Sequence, residues 1–205
     1  MGQLLIATQN SGKTRELRQL LASLDAALCF PAEMRLSLEV VEDGVTYAKN
    51  AAIKARAYAR ASGLLTLADD SGLEVDALGG APGIHSARYA SGHDADRTAT
   101  LLAHLHHVPE PERTARFRCV VVVATAAEIL LSAEGVCEGV IATEPAGAAG
   151  FGYDPVFYLP DHGCTMAQLT EEEKNRLLQT YWSIPQRQVA TSVVLAEGRA
   201  KGYHS

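Results

Sequence analysis

The sequence lacks long hydrophobic runs, cysteine motifs and an excess of basic residues. Its four cysteines show no Cys-x-x-Cys or zinc-like spacing, and they stand at Cys29, Cys119, Cys137 and Cys164. Scattered cysteines are typical of a reducing cytoplasm, where buried thiols are the default. No segment approaches membrane-spanning length, and the apolar run Leu4 to Ala7 is too short for a signal peptide and lacks a basic leader. We therefore expect a cytoplasmic protein that does not associate with membranes.

An excess of positive charge is also missing. Lysine and arginine together number 18 against 24 aspartates and glutamates, so the formal net charge is -6. Indiscriminate nucleic-acid binding needs a basic face, and this composition therefore argues against a nucleic-acid partner. An anionic substrate would have to be held by a few local cations, backbone N–H groups and a metal ion. The sequence contains no internal repeat and no low-complexity tract.

What is present is the composition of an ordinary globular protein. The chain has 205 residues, of which 47% are hydrophobic and 20% charged, enough for one or at most two domains with a sizeable core. Strand and helix patterns alternate and include one hairpin, so we predict an α/β fold with a mixed sheet and no clear linker. The predicted strands cover 3–7, 26–30, the run before Asp69, 116–125 and 128–141, and the predicted helices follow the loop 8–12, cover 46–61 and 94–107, and begin after Thr170.

The segment Ala68-Asp69-Asp70-Ser71-Gly72 is the most informative one. It follows the apolar run Leu64 to Leu67, so we interpret it as a buried strand that delivers carboxylates to a loop. Adjacent acids alternate sides on an extended chain, so one can face a cleft while the other faces structure. Carboxylates at a strand end suit a hard cation such as Mg²⁺, together with substrate phosphates. The alternative is a polar turn built from ordinary turn residues.

A second candidate is the polar loop Thr8-Gln9-Asn10-Ser11-Gly12-Lys13 between a strand and a helix. A helix N-terminus presents N–H groups and a partial positive charge, to which Lys13 adds a mobile full charge. Gly12-Lys13-Thr14 matches the end of a P-loop, but that pattern needs glycine where Ala7 stands. The remaining alternative is a capped helix with an exposed lysine. The helix itself is predicted from one apolar stripe, formed by Leu17, Leu20, Leu21 and Leu24.

An acid and an aromatic segment are weaker candidates. Glu42, in Glu42-Asp43-Gly44, would complete a metal site near Asp70, although acids before a helix are usually caps or solvated. The segment Phe151-Gly152-Tyr153-Asp154 places aromatic rings on both sides of a glycine. Such rings can form a stacking wall for a base, with Asp154 bonding a base edge or a sugar. The alternative is a strand entry with core aromatics.

The remaining candidates are cationic. Lys174, four residues after the predicted cap Thr170, could reach a phosphate or a base, although most lysines in a first helical turn are solvated. Three histidines lie near the end of the predicted helix 94–107, where cations are favoured. No supporting acids accompany them, so we interpret them as surface residues rather than metal ligands: His104, His106 and His107.

Taken together, these segments resemble the inosine/xanthosine triphosphate pyrophosphatase family, the Ham1-like nucleotide hydrolases. The match runs in the family's order over about 1 to 176, and the set of motifs is specific although each piece alone is not. The matching segments are 7–13, 41–47, 68–73, 78–89 (Leu-Gly-Gly-Ala-Pro-Gly-Ile-His-Ser-Ala-Arg-Tyr), 150–155 (Gly-Phe-Gly-Tyr-Asp-Pro) and 172–175 (Glu-Glu-Lys-Asn).

The resemblance implies a fold, an activity and a site. The implied fold is one domain over 1–205, an elongated mixed twisted sheet flanked by helices, with two lobes around a central substrate cleft, and a homodimer. The implied activity is Mg²⁺-dependent hydrolysis of non-standard purine nucleoside triphosphates (ITP, dITP and XTP) to the monophosphate and pyrophosphate. By family position, Thr8 to Lys13 bind phosphate, Glu42 and Asp70 hold the metal, and Asp70 is the catalytic base. The remaining substrate contacts are Ser71, Phe151, Gly152, Tyr153, Asp154 and Lys174.

Two positions depart from the family pattern. Lys49 stands where the family usually has Glu, which would form a capping box with Thr46. After Arg176 the family continues with a Ser-His-Arg-Gly segment that reads the purine, whereas here residues 177–205 show no resemblance. Arg176, Arg187 and His204 are the candidates to replace it. The alternatives to a pyrophosphatase are therefore a non-catalytic nucleotide-binding homologue and a P-loop NTPase or phosphotransferase.

Overall fold

The computed structural model describes residues 2–181 and 184–200. Strands and helices alternate in the first part of the chain, as predicted. None of the helices in the described ranges has the length and apolar character needed to cross a membrane. The strands are β1 (Gly2–Ile6), β2 (Ala26–Cys29), β3 (Leu65–Val75), β4 (Thr114–Ala124), β5 (Ile129–Ile141), β6 (Phe157–Leu159) and β7 (Cys164–Thr165). The helices are α1 (Ser11–Leu20), α2 (Tyr47–Ser62), α3 (Asp94–His104), α4 (Glu171–Tyr181) and α5 (Gln186–Ala200).

The strands form one mixed sheet of seven strands in the order β2-β1-β3-β4-β5-β6-β7. β1 pairs in parallel with β2 and with β3, and Leu4 lies opposite Leu28 on one side and Leu65 on the other. β6 pairs antiparallel with β5 and with β7. Parallel neighbours need a helical crossover, which α1 supplies between β1 and β2 and α2 supplies before β3. The prediction of an α/β fold with a mixed sheet is confirmed.

The chain divides into two compact units. The first unit contains 1–70, 120–134 and 183–205, and the second contains 71–119 and 135–182. The chain passes from one unit to the other within β3, β4 and β5. These three crossings lie inside regular strands rather than in a polar connector, so the sequence shows no linker at them.

The core of the first unit forms around β1, whose residues Leu4, Leu5 and Ile6 are fully buried. The predicted leucine stripe is buried as well, but α1 ends at Leu20, so Leu21 and Leu24 pack from the turn that follows it. α5 belongs to this unit: Gln186 accepts a hydrogen bond from the Ser23 hydroxyl (2.8 Å) and donates one to the Leu20 carbonyl (2.6 Å). Part of the region without family resemblance therefore stabilises the first unit, with Val189 and Val193 buried.

The second unit has its own hydrophobic core. Strand residues alternate into it, and Phe117 packs on Phe157 with ring centroids 4.5 Å apart. Its fully buried members with less than 2% exposure include Leu73, Val75, Leu101, Leu105, Ala115, Ile141, Val156 and Phe157. Cys137 is buried in this core, and burial raises the pKa of its thiol to about 12. All four cysteines are free thiols, and Cys119 and Cys137 are buried as expected, whereas Cys29 and Cys164 are only half-buried.

Two local predictions are wrong. The acids do not lie in a loop after a strand, because β3 continues through Asp69 and Asp70 to Val75. Both carboxylates find side-chain partners there, Lys13 for Asp69 and Asn50 for Asp70, so the strand does not have to end where the acids begin. The third helix ends at His104 rather than at 107. The guanidinium of Arg113 bonds the carbonyls of Leu105 (2.9 Å) and Val108 (2.9 Å), which satisfies the chain just beyond this earlier end.

Candidate functional site

The predicted phosphate loop surrounds the N-terminus of α1. Asn10 is the N-cap residue, and its side-chain oxygen accepts a hydrogen bond from the Lys13 backbone N–H (3.1 Å). The Asn10 N–H in turn donates to the Thr8 hydroxyl (3.2 Å). The Gln9 side chain donates to the Tyr58 hydroxyl of α2 (3.0 Å) and to the Leu38 carbonyl (3.1 Å). The residues Thr8 to Lys13 therefore form a loop and first helical turn that is held at several points.

The sequence suggested that Lys13 is a mobile cation, but in the structure its ammonium is held in an ion pair. Its ammonium lies 2.6 Å from Oδ2 of Asp69, whose side chain is only 1% exposed. Burial raises the pKa of the Asp69 carboxyl, but the charges of Lys13 and Lys54 and the Lys13 hydrogen bond outweigh it, so the pKa is lowered overall. Asp69 is therefore ionised and structural in this arrangement, and it fixes Lys13 beside α1.

Asp70 has a different environment from its neighbour. Oδ2 of Asp70 accepts a hydrogen bond from the side-chain amide of Asn50 on α2 (3.0 Å). Burial raises the pKa of Asp70, and the nearby charge of Glu42 raises it further, while the Asn50 bond and the charges of Lys54 and Lys13 oppose the rise. Its pKa is raised overall, whereas that of Asp69 is lowered. The predicted division of roles between the two adjacent acids is consistent with this difference.

Glu42 and Asp70 are close enough for their charges to interact, and Lys54 of α2 interacts with both carboxylates. Its ammonium is 3.0 Å from Oε1 of Glu42 and also stabilises the charge on Asp70. Within the described ranges no group of three or more His, Cys, Asp or Glu residues could hold a metal ion. Two carboxylates nevertheless fit Mg²⁺, which usually takes one or two from the protein and the rest of its oxygen ligands from water and substrate phosphates.

In the second unit, Asp154 organises the segment Phe151 to Asp154. Its Oδ2 accepts a hydrogen bond from the Phe151 N–H (2.9 Å) and lies 2.6 Å from the ammonium of Lys174. The same ammonium is 5.1 Å from the centroid of the Phe151 ring. Burial raises the pKa of Asp154, and Lys174 opposes this rise. Lys174 is buried, so the alternative that it is an ordinary solvated lysine of a first helical turn is wrong.

α3 and a preceding turn hold the middle of the same segment. The Gly152 N–H donates to Oδ2 of Asp94 (2.6 Å), and the Asp94 carboxylate also binds Arg97. The Tyr153 hydroxyl donates to the Ser86 carbonyl (3.0 Å), and burial raises the pKa of Tyr153 to about 12, which keeps it a donor. The segment forms turns that lead into β6. The alternative of a strand entry with core aromatics therefore holds for Tyr153, which is buried in the core of the second unit, whereas Phe151 is only half-buried.

Sequence reasoning missed several residues that contact the predicted site residues, among them Asn50, Lys54, Ser86 and Asp94. A signal for two of them exists, because Asn50 and Lys54 are four residues apart on an alanine-rich helix and therefore share one face. The side chain of Asn50 contacts Asp70 on β3, and that of Lys54 contacts Glu42. Asp94 carried no comparable signal, because acids are common in the first turn of helices, where they interact favourably with the helix dipole.

Residues 177–200 contain no clear replacement for the Ser-His-Arg-Gly segment that the family has after Arg176. α4 continues through Tyr181, with Leu177 and Leu178 buried. Arg176 is exposed and lies 3.4 Å from Glu172 one turn earlier, and Arg187 is exposed on α5. His204, the third candidate, lies outside the described residues.

The fold and these contacts define an α/β protein. Its first unit contains the N-terminus of α1 and the interacting carboxylates of Glu42 and Asp70. Its second unit contains the aromatic segment Phe151 to Asp154, which hydrogen bonds hold in place. The model of the Ham1 family matches residues 4–186. This match covers most of the chain, and the chain therefore belongs to the Ham1 family.

Relatives and solved structures agree with this assignment. A dITP/XTP pyrophosphatase from Yersinia pseudotuberculosis is 52% identical over 180 residues, which cover 85% of this chain and 90% of the relative. One from Geobacillus kaustophilus is 48% identical, over 86% of this chain and 88% of the relative. The structure of a Ham1 protein from Coxiella burnetii covers 96% of this chain and 100% of its own, with a TM-score of 0.81 and 40% identity. The family resemblance stated from the motifs is confirmed.

Proposed function

We propose that this protein hydrolyses non-standard purine nucleoside triphosphates, namely ITP, dITP and XTP, to the nucleoside monophosphate and pyrophosphate. Membership of the Ham1 family and the similarity to relatives that are dITP/XTP pyrophosphatases support the reaction. The observation that carries the proposal is the environment of Asp70. It is a carboxylate of raised pKa, bonded by Asn50, that interacts with Glu42 and with the cations Lys13 and Lys54.

In this proposal the first unit binds the triphosphate. Thr8, Gln9, Asn10, Ser11, Gly12 and Lys13 supply N–H groups, polar side chains and one cation at the N-terminus of α1. Glu42 and Asp70 would hold Mg²⁺, which would supply charge neutralisation at the phosphate oxygens. Lys54, already paired with Glu42, adds a further cation beside these carboxylates.

Asp70 is proposed as the base that accepts a proton from the attacking water. A base works best when its pKa is near the working pH, and the raised pKa of Asp70 moves in that direction. Asp69, with its lowered pKa, stays ionised and holds Lys13 instead. Catalysis then depends on position and electrostatics, because the water must attack in line with the departing pyrophosphate.

The second unit is proposed to contact the nucleoside. The Phe151 ring offers a stacking surface, and the turn at Gly152 and Tyr153 is fixed by Asp94 and Ser86. Asp154 orients Lys174 and is itself oriented by it. Ser71, at the start of this unit's part of β3, is the remaining proposed substrate contact. We also propose a homodimer in the cytoplasm, as the family resemblance and the free thiols suggest.

Product analysis tests the proposal. The purified protein is incubated with ITP, XTP, GTP or ATP and MgCl₂, and the products are separated by ion-exchange chromatography. We expect pyrophosphate and the monophosphate from ITP and XTP, with much slower turnover of GTP and ATP. Orthophosphate and a diphosphate would support a P-loop NTPase instead. Binding of ITP without turnover would support a non-catalytic homologue, which the departure after Arg176 keeps as the second candidate.

A further inference from the structure

We propose that Asn50 is a positioning residue that couples the two carboxylates of the candidate metal site. Its amide nitrogen donates to Oδ2 of Asp70 (3.0 Å), and its side-chain oxygen accepts from the backbone N–H of Gly44 (2.8 Å). Gly44 lies two residues after Glu42 in the same loop. One side chain therefore fixes the strand that carries Asp70 and the loop that carries Glu42. The role of this coupling in catalysis rests on the proposed function.

The local structure is built for an asparagine at this place. Asn50 is 1% exposed, although asparagine is unfavourable in a helix interior, where its side chain competes for backbone hydrogen bonds. Both halves of its amide are used, one as donor and one as acceptor, and no other side chain of this size offers both in a fixed plane. Helix α2 does not need it for its own start, since Thr46 already caps that end.

Gly44 is adapted to the same contact. A Cβ atom added there would lie 2.6 Å from Oδ1 of Asn50 and 2.8 Å from Cβ of Lys49. The latter atom belongs to the rigid start of α2 and cannot easily move away. Only glycine therefore allows the Glu42 loop to approach Asn50 closely enough for the backbone hydrogen bond.

The consequence for the chemistry is geometric. A hydrogen bond to one oxygen of Asp70 fixes the plane of the carboxylate, and so the direction in which it meets a cation or a water. The bond to Gly44 limits how far Glu42 can move from Asp70. Without Asn50, both carboxylates are still present, but their positions relative to each other are no longer fixed. Outer partners of metal ligands of this kind change metal affinity or activity by about 10- to 100-fold.

Two substitutions of Asn50 and one control separate this role from a structural one. Asn50→Leu keeps the volume and removes both hydrogen bonds, and Asn50→Ser removes the amide with a smaller change in packing. The control is Thr66→Val on β3, which removes a buried hydroxyl that bonds the Leu64 carbonyl and touches neither carboxylate. Gly44→Ala is a fourth variant that leaves Asn50 in place and disturbs its contact.

The first readout needs no substrate. Mn²⁺ is titrated into each full-length variant and followed by electron paramagnetic resonance, with circular dichroism as the check of folding. We expect Asn50→Leu, Asn50→Ser and Gly44→Ala to raise the Mn²⁺ dissociation constant about 10-fold, and Thr66→Val to leave it unchanged. The second readout is turnover of ITP, for which kcat should fall about 10- to 100-fold in the Asn50 variants while KM changes by less than about threefold.

The outcomes distinguish this inference from the proposed function. If the wild-type protein binds Mn²⁺ but makes no pyrophosphate, the proposed function fails, and the Mn²⁺ titrations still decide the role of Asn50. Folded Asn50 variants with wild-type Mn²⁺ affinity would overturn the inference, as would a wild-type protein that binds no Mn²⁺. If Asn50→Leu does not fold, Asn50→Ser carries the test. Equal losses in the Thr66→Val control would show a general effect of buried polar groups, which also overturns it.

Discussion

The Lys13 ammonium lies 2.6 Å from the Asp69 carboxylate, and this ion pair joins the first turn of α1 to strand β3. The Asp69 side chain is 1% exposed and that of Lys13 is 16% exposed, so water screens the pair only weakly. Breaking one partner of such a pair leaves a buried charge without compensation. The pair therefore connects the stability of the first unit with the position of its candidate phosphate loop.

The contribution of this pair should depend on pH in a defined direction. The folded-state pKa of Asp69 lies below the ordinary value of 3.8, so the ionised carboxylate stabilises the fold above that pH. The stabilisation is lost as the pH falls through the lower folded-state pKa, because the folded protein then binds the proton as well. We expect Asp69→Asn to lower the free energy of unfolding by about 3 kcal/mol at neutral pH and by less in strong acid, measured by urea titration. A loss that is constant over the whole pH range would contradict this assignment.

Asp70→Asn should abolish catalysis and spare the fold. The substitution keeps the shape of the side chain but removes the base and one proposed metal ligand. We expect kcat for ITP to fall by at least about 100-fold, with a melting temperature within a few degrees of the wild type. Asp43→Asn is the matched control, since Asp43 is an exposed acid in the Glu42 loop and should retain full activity. An active Asp70→Asn protein would remove Asp70 from the catalytic role.

Lys49→Glu should stabilise the protein. The Lys49 N–H already bonds the Thr46 hydroxyl (3.2 Å), and a glutamate there would add the reciprocal bond and a negative charge at the start of α2. We expect a gain of about 0.5–1 kcal/mol, which corresponds to a rise of roughly 1–4 °C in melting temperature for a chain of this size. Lys49→Ala is the control that removes the charge without adding an acceptor. An unchanged melting temperature in Lys49→Glu would contradict the idea.

Lys174→Met should weaken substrate binding more than it slows the reaction. Lys174 lies beside the Phe151 ring and is bonded to Asp154, far along the chain from the proposed base. We expect KM for ITP to rise at least about 10-fold while kcat changes less, because a nucleoside contact acts equally in the ground state and the transition state. Arg176→Met, two residues later and exposed, is the control, and it should leave KM unchanged unless Arg176 replaces the missing family segment.

The sequence predicted the elements more accurately than the contacts. The cap at Thr46, the leucine stripe and the long hairpin follow from local patterns, and the structure agrees with them. The extent of β3 could not be predicted in the same way. An Asp-Asp-Ser-Gly segment favours a turn on local grounds, and only partners distant in the chain, 56 residues away for Asp69 and 20 for Asp70, allow it to remain in the sheet.

In the candidate site, too, the sequence predicted local motifs better than contacts between distant residues. Motifs found the acids, the phosphate loop and the aromatic segment, because their residue types are unusual together. Asn50 and Asp94 escaped notice, since each is an ordinary residue whose importance comes only from the atom it bonds, Oδ2 of Asp70 and the N–H of Gly152. Side-chain partners of this kind depend on tertiary packing, and the local sequence offers at most the shared face of Asn50 and Lys54 on α2.

The most direct test of the central claim is the fate of the oxygen from water. ITP is hydrolysed by the protein with MgCl₂ in water enriched in ¹⁸O, and the products are examined by mass spectrometry. Attack on the α-phosphorus, with Asp70 accepting the proton, predicts one ¹⁸O atom in the monophosphate and none in pyrophosphate. Label in pyrophosphate, or in orthophosphate released from the γ-position, would contradict it.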